Sequence, residues 1–216
     1  MSRRPHALTT ALTTAALVAG SVAVLRRAAM RWGATPAETR ATLPGDGLVP
    51  DADLTVTRAV SIEANAERVL PWLRQLGHGR GGFYTYDTLE NLMGLGLHSA
   101  DDLRPEWQVD EGDDVLLADG VPLRVAILDE GAEVPGGGAV VLHGVEEPAS
   151  GPMPFDFSWA FVVVPTPDGR SRLLVRERYG YHAPGVALLV EAVSWVSWLM
   201  TQRMLRGVRD RAQAVG

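Results

Sequence analysis

Two alternating runs joined by a five-residue turn constrain this chain more than anything else in it. Phe157, Trp159, Phe161 and Val163 fall on one side of residues 157–164. A period of two is what a strand with one buried face requires. Pro165-Thr-Pro-Asp-Gly169 is turn chemistry, and alternation resumes over 171–179. The pair predicts an antiparallel hairpin. In its second arm Leu173, Val175 and Glu177 oppose Arg172, Leu174, Arg176 and Arg178.

Similar but shorter signals flank the hairpin. Leu54 to Ile62 alternates, with Leu54, Val56, Val60 and Ile62 on one face and Arg58 as the exception. Residues 114–117, 123–128 and 139–145 read as short strands between Gly-rich turns. Asn65 caps a predicted helix running to Leu76, in which Pro71 sits too deep for a first-turn proline and predicts a kink. Asp87-Thr-Leu-Glu90 is a capping-box pattern for a second helix within 83–97. Pro184 precedes a long predicted helix over 186–211, nearly all apolar in its first half except for Glu191. The order is strand, two helices, a run of strands and one long helix. It predicts an α+β fold in which an antiparallel sheet wraps around the C-terminal helix, a helix-grip arrangement with a cavity between the two.

The N-terminus reads differently. Residues 7–25 carry no charge; Arg3 and Arg4 precede them, and Arg26, Arg27 and Arg31 follow. As a helix, the segment spans roughly 28 Å, close to a bilayer core. The expectation is a membrane anchor or signal segment over 1–30. The arginine bias predicts a single-pass membrane protein with its C-terminal domain on the cytoplasmic side. Residues 31–53, with Pro36, Pro44, Pro50, Gly45 and Gly47, read as a tether, and the folded domain as 54–216.

Composition removes several functions. The 216 residues include no cysteine and no lysine, so disulfides, thiolate sites, Schiff bases and a P-loop lysine are excluded. A net charge of −6, with no basic–aromatic interleaving, argues against nucleic acid as a partner. The five histidines are scattered without an HExxH pattern, so no metal and no cofactor is expected. No Gly-x-Ser-x-Gly elbow is present. Gly77-His-Gly-Arg-Gly-Gly82 follows a helix rather than a strand and is not a dinucleotide fingerprint.

Four stretches resemble the SRPBCC (START-like, polyketide-cyclase-related) superfamily, in a subgroup with an N-terminal membrane segment. They are Val60-Ser-Ile-Glu-Ala-Asn-Ala-Glu-Arg-Val-Leu-Pro-Trp-Leu73, Gly79-Arg-Gly-Gly-Phe-Tyr-Thr-Tyr-Asp-Thr-Leu-Glu-Asn91, His98-Ser-Ala-Asp101 and Arg172-Leu-Leu-Val-Arg-Glu-Arg178. The resemblance spans residues 54–212 and implies a helix-grip fold with a deep apolar pocket. It does not imply one reaction, since fold alone does not fix function.

The candidate ligand-binding residues are Arg80, Tyr84, Tyr86, Glu90, Asn91, His98 and Arg176. Most cluster between Arg80 and Glu106, where a few polar groups converge among apolar ones. Capping and surface pairing explain the same residues without a ligand. The strand 171–179 leaves two readings open, because a one-residue slip swaps its faces. Either Glu177 puts a carboxylate in the cavity, or Arg176 gives it a cationic floor. The leading expectation is membrane-tethered binding of a hydrophobic small molecule or lipid. The alternatives are a cyclase- or dehydratase-like enzyme using Glu90 or His98 with Tyr86, and a structural or partner-binding membrane protein.

Overall fold

A computed structural model describes residues 5–85, 99–144 and 154–214. Helix α1 (Pro5–Met30) and the short α2 (Pro36–Arg40) precede strand β1 (Leu54–Ile62) and helix α3 (Ala66–Arg74). Strands β2 (Asp114–Ala118), β3 (Val121–Asp129), β4 (Gly138–Gly144), β5 (Phe155–Pro165) and β6 (Ser171–Tyr181) follow, then helix α4 (Val186–Ala214). The six strands form one sheet in the order β1-β6-β5-β4-β3-β2. Every neighbouring pair is antiparallel. This is the expected α+β helix-grip architecture. The capping-box helix expected within 83–97 falls largely outside the described residues.

Local chemistry accounts for the elements. The Asn65 side chain accepts from the Arg68 backbone N–H at 3.2 Å and caps α3. Pro71 lies inside that helix, which ends three residues later. The β5–β6 hairpin turns at the residues the sequence marked, with Pro165 opposite Ser171. The first half of α4 leaves Leu188, Leu189, Val193, Val196 and Leu199 exposed, whereas Met204, Leu205, Val208 and Ala212 in its second half are fully buried. Gly207 allows that close approach. A Cβ there would lie 2.5 Å from the Tyr84 carbonyl oxygen and 2.6 Å from its Cβ.

The single-pass membrane expectation is corrected. Among the described residues, no helix is long and apolar enough to cross a membrane. At 26 residues, α1 has the length; four threonines, a serine and a glycine within 7–25 dilute its leucines and valines. The C-terminal end of α1 instead docks on the fold. Arg26 Nε donates to Glu191 Oε2 at 2.8 Å, giving the one charge of α4's apolar half its partner. Ala29 and Met30 are buried.

Residues 31–53 form a strap across the sheet face opposite α4. Leu43 joins Ala59, Ala139, Val141, Ala160, Val162 and Leu174 in a second apolar cluster, with Ala34 and Leu48 packed against it. Three arginines of β6 hold the strap. Arg172 Nε donates to Glu38 at 2.7 Å, and Arg178 Nε to the Val49 carbonyl at 2.9 Å. Arg176, central among them, donates to the Glu38 and Ala41 carbonyls and to Asp46. Gly33, at φ +72°, passes so close to β1 that a Cβ would collide with the Ala59 carbonyl.

Candidate functional site

Period-two alternation puts one face of β5 and β6 under α4, and helical periodicity puts one stripe of α4 over that face. The second half of α4 closes down; the first half stands off. Between them lies a half-open cavity of about 250 Å³. Its helix wall is Val193, Val196, Ser197, Met200, Thr201 and Met204, a stripe at three- and four-residue spacing. Its sheet wall is Phe157 and Trp159 from β5, Glu177 and Tyr179 from β6 and Leu117 from β2, with Phe83 at one side. Aromatic contacts stiffen the sheet wall. Phe157 lies 4.9 Å from Tyr179 and Phe83 stacks on Trp159 at 6.0 Å between ring centroids.

One wall of this apolar cavity is charged. Glu177, 2% exposed, faces inward between Val175 and Tyr179. Its Oε1 accepts from Arg58 Nη1 at 2.7 Å, from Thr201 at 3.3 Å and from Ser197 at 2.7 Å. Its Oε2 accepts from Tyr179 Oη at 3.0 Å and lies 2.8 Å from Ser197 Oγ. Arg58 is 1% exposed, and each of its three nitrogens has an acceptor. Beyond Glu177, it donates to the Ala29 carbonyl at 3.1 Å, to Ser197 Oγ at 3.1 Å, to Thr201 Oγ1 at 3.3 Å and to the Ser194 carbonyl at 3.5 Å. Sheet register brings the pair together. Arg58 stands opposite Val175, and Val56 opposite Glu177, so the two charges are diagonal neighbours on one face. Burial, then the adjacent Glu177 charge, holds the Tyr179 phenol well above its ordinary pKa. That keeps Tyr179 a neutral donor to the carboxylate.

Of the seven predicted site residues, the three that are described, Arg80, Tyr84 and Arg176, do not line this cavity. Tyr86, Glu90, Asn91 and His98 lie outside the described residues. Arg80 sits near β2 and donates to the Asp114 carbonyl at 3.2 Å. Tyr84 is a core residue. Its Oη accepts from Gln75 at 2.9 Å and donates to the Trp72 carbonyl at 3.1 Å, and Arg211 lies over its ring at 4.7 Å. Burial raises its pKa as well. Arg176 faces the strap, where Thr57 Oγ1 also accepts from it at 3.0 Å, and the charged side chain of β6 that lines the cavity is Glu177. The open choice between the faces of β6 thus resolves in favour of Glu177. Trp159, on the face that alternation marks as buried, is half-buried, packs against the core and lines the cavity. Four further polar lining and support residues were missed as site residues: Arg58, Tyr179, Ser197 and Thr201. Their signals were present. Arg58 breaks the apolar face of its strand, and Ser197 and Thr201 interrupt an apolar helix stripe four residues apart.

No protein-family model matches the chain, and no curated protein matches it. Solved structures of similar shape exist at low identity. A protein from Nitrosospira multiformis is 11% identical, with 74% of this chain and 97% of that one covered and a TM-score of 0.44. Ginseng major latex-like protein 151 from Panax ginseng is 13% identical over 74% and 97%, with a TM-score of 0.44. A Thalictrum norcoclaurine synthase point mutant in complex with a transition-state analogue is 13% identical over 70% and 94%, with a TM-score of 0.37.

Proposed function

We propose that this chain binds a hydrophobic small molecule or lipid in the cavity between the sheet and the first half of α4. The observation that carries the reading is the cavity itself: about 250 Å³, walled by Phe, Trp, Val, Leu and Met side chains, with Tyr179, Ser197 and Thr201 gathered around Glu177 and Thr85 as a further polar lining residue. Protein interiors leave few voids larger than a water molecule. An apolar cleft with a small number of convergent polar groups is the usual form of a small-molecule site. Exposed Val193 and Val196 border the cavity on α4 and give it an apolar edge.

The test uses the full chain purified without detergent. Native mass spectrometry reads any co-purifying mass, and titration with the neutral apolar dye N-phenyl-1-naphthylamine reads saturable binding. Met200→Trp, which adds volume to the cavity from the helix side, is expected to weaken dye binding at least about tenfold while leaving the unfolding midpoint close to that of the parent. A folded chain that binds neither a co-purifying molecule nor the dye overturns the reading.

A further inference from the structure

The hydrogen-bond inventory of the charged wall points to the class of ligand, on the premise that the cavity is a binding site as proposed above. A carboxylate offers about four acceptor positions. Glu177 fills them with four donors: Arg58, Tyr179, Ser197 and Thr201. Each hydroxyl has one proton, and each gives it to the carboxylate. The wall therefore has no hydrogen left to offer a ligand. What remains are hydroxyl lone pairs. Tyr179 Oη receives no hydrogen bond from a described residue. Ser197 and Thr201 share the second hydrogen of Arg58 Nη1, and each keeps a further lone pair. This side of the site accepts.

Directly beside it is a donor with nothing to donate to. Trp159 lines the same cavity, and its buried indole N–H has no hydrogen-bond partner among the described residues. Register places Trp159 opposite Glu177 across β5 and β6, on the same sheet face. Directly opposed residues are the nearest side-chain neighbours a sheet makes. An unmet buried donor thus adjoins a group of acceptors whose own donors are spent.

We infer that the cavity selects a neutral apolar molecule carrying a hydroxyl group, which donates to the Tyr179–Ser197–Thr201 oxygens and accepts from the Trp159 N–H. A hydroxyl is both donor and acceptor, so one group meets both needs. A carboxylate or phosphate only accepts. It would face oxygen lone pairs and the Glu177 charge, whose compensating Arg58 is already engaged by five acceptors. An ether accepts but cannot donate. An ammonium donates but leaves the indole unmet.

The experiment compares decanol, decanoate and decyl methyl ether by isothermal titration calorimetry against the folded full-length chain at neutral pH. Decanol is expected to bind about tenfold tighter or more than either of the others, the usual margin for one good buried hydrogen bond. Tyr179→Phe, Ser197→Ala and Trp159→Phe are each expected to narrow that margin. The ether's affinity should be unchanged by the first two, which also reports that those variants retain the cavity. Equal affinity for decanol and the ether, or tighter decanoate, overturns the hydroxyl inference while leaving the cavity reading standing. Absence of saturable binding for all three ligands and for the dye overturns the cavity reading, and this inference with it.

Discussion

Removing one member of the Arg58–Glu177 pair tests the interior directly. Their side chains are 1% and 3% exposed, so neither charge has solvent to fall back on. Deleting one partner of such a pair costs about 3–5 kcal/mol, because the other charge stays buried and uncompensated. The two deletions are not equivalent. In Arg58→Met the stranded carboxylate keeps three hydroxyl donors and is able to take up a proton, so the cost belongs near the lower end, about 3 kcal/mol. In Glu177→Met the guanidinium cannot shed its charge, so the cost belongs near about 5 kcal/mol. The double variant Arg58→Met/Glu177→Met removes both charges and replaces them with apolar volume. It is expected to lie within about 2 kcal/mol of the parent, the residual cost being hydroxyls that lose an acceptor. Urea unfolding followed by tryptophan fluorescence reads these values. Thermal scans are expected to show about 2–4 °C for each kcal/mol in a chain of this size. Single variants costing under about 1 kcal/mol, or a double variant costing the sum of the singles, would refute an isolated interior ion pair.

Two further outcomes follow from the same geometry. Arg176→Met removes the donor to the Glu38 and Ala41 carbonyls, Asp46 and Thr57, and is expected to cost about 2–4 kcal/mol and to speed tryptic cleavage after the exposed Arg40; unchanged protection at Arg40 would show that the strap is held by its apolar contacts alone. Burial raises the Tyr84 and Tyr179 pKa values, so the unfolded chain loses these protons near pH 10 while the folded chain keeps them, and stability is expected to fall as pH rises past about 10, by about 1.4 kcal/mol per pH unit for each residue. With no lysine or cysteine in the chain to titrate in that window, urea unfolding at a series of alkaline pH values reads the tyrosines cleanly, and a slope unaltered in Tyr84→Phe and Tyr179→Phe would contradict their burial.

The sequence was informative wherever a structure is local. A period of two needs only neighbours in the chain, so β1 was read from its alternation over the residues it occupies, Leu54–Ile62. Asn65 and the turn after Pro165 act within four or five residues and were equally readable. The candidate site was much less legible. The polar cluster around Glu177 joins residues from β1, β6 and α4 that are more than a hundred positions apart at its extremes, and no spacing rule connects Arg58 to Thr201. The packing of the strap was hard to read for a related reason. Its prolines and glycines look like a linker, and only the arginines of β6, more than 120 residues away, supply the donors that its carbonyls meet. Residues 7–25 failed differently. Length and flanking charge fit a bilayer, but the threonines within them leave the segment short of the apolarity a span needs.

By itself the sequence determined the strands, their order, the long C-terminal helix and, for β1, β5 and β6, which residues share a face, because alternation, caps and turns are properties of adjacent residues. It also marked Arg58 as an anomaly without saying what it served. Tertiary structure decided the rest. Pairing β1 with β6 in one register turned Glu177 toward α4 and Arg176 toward the strap. A shift of one residue would have exchanged them, making a cationic cavity and burying a carboxylate under the strap. The register is set by apolar residues on both sheet faces finding cover at once, a condition that only the folded chain can satisfy.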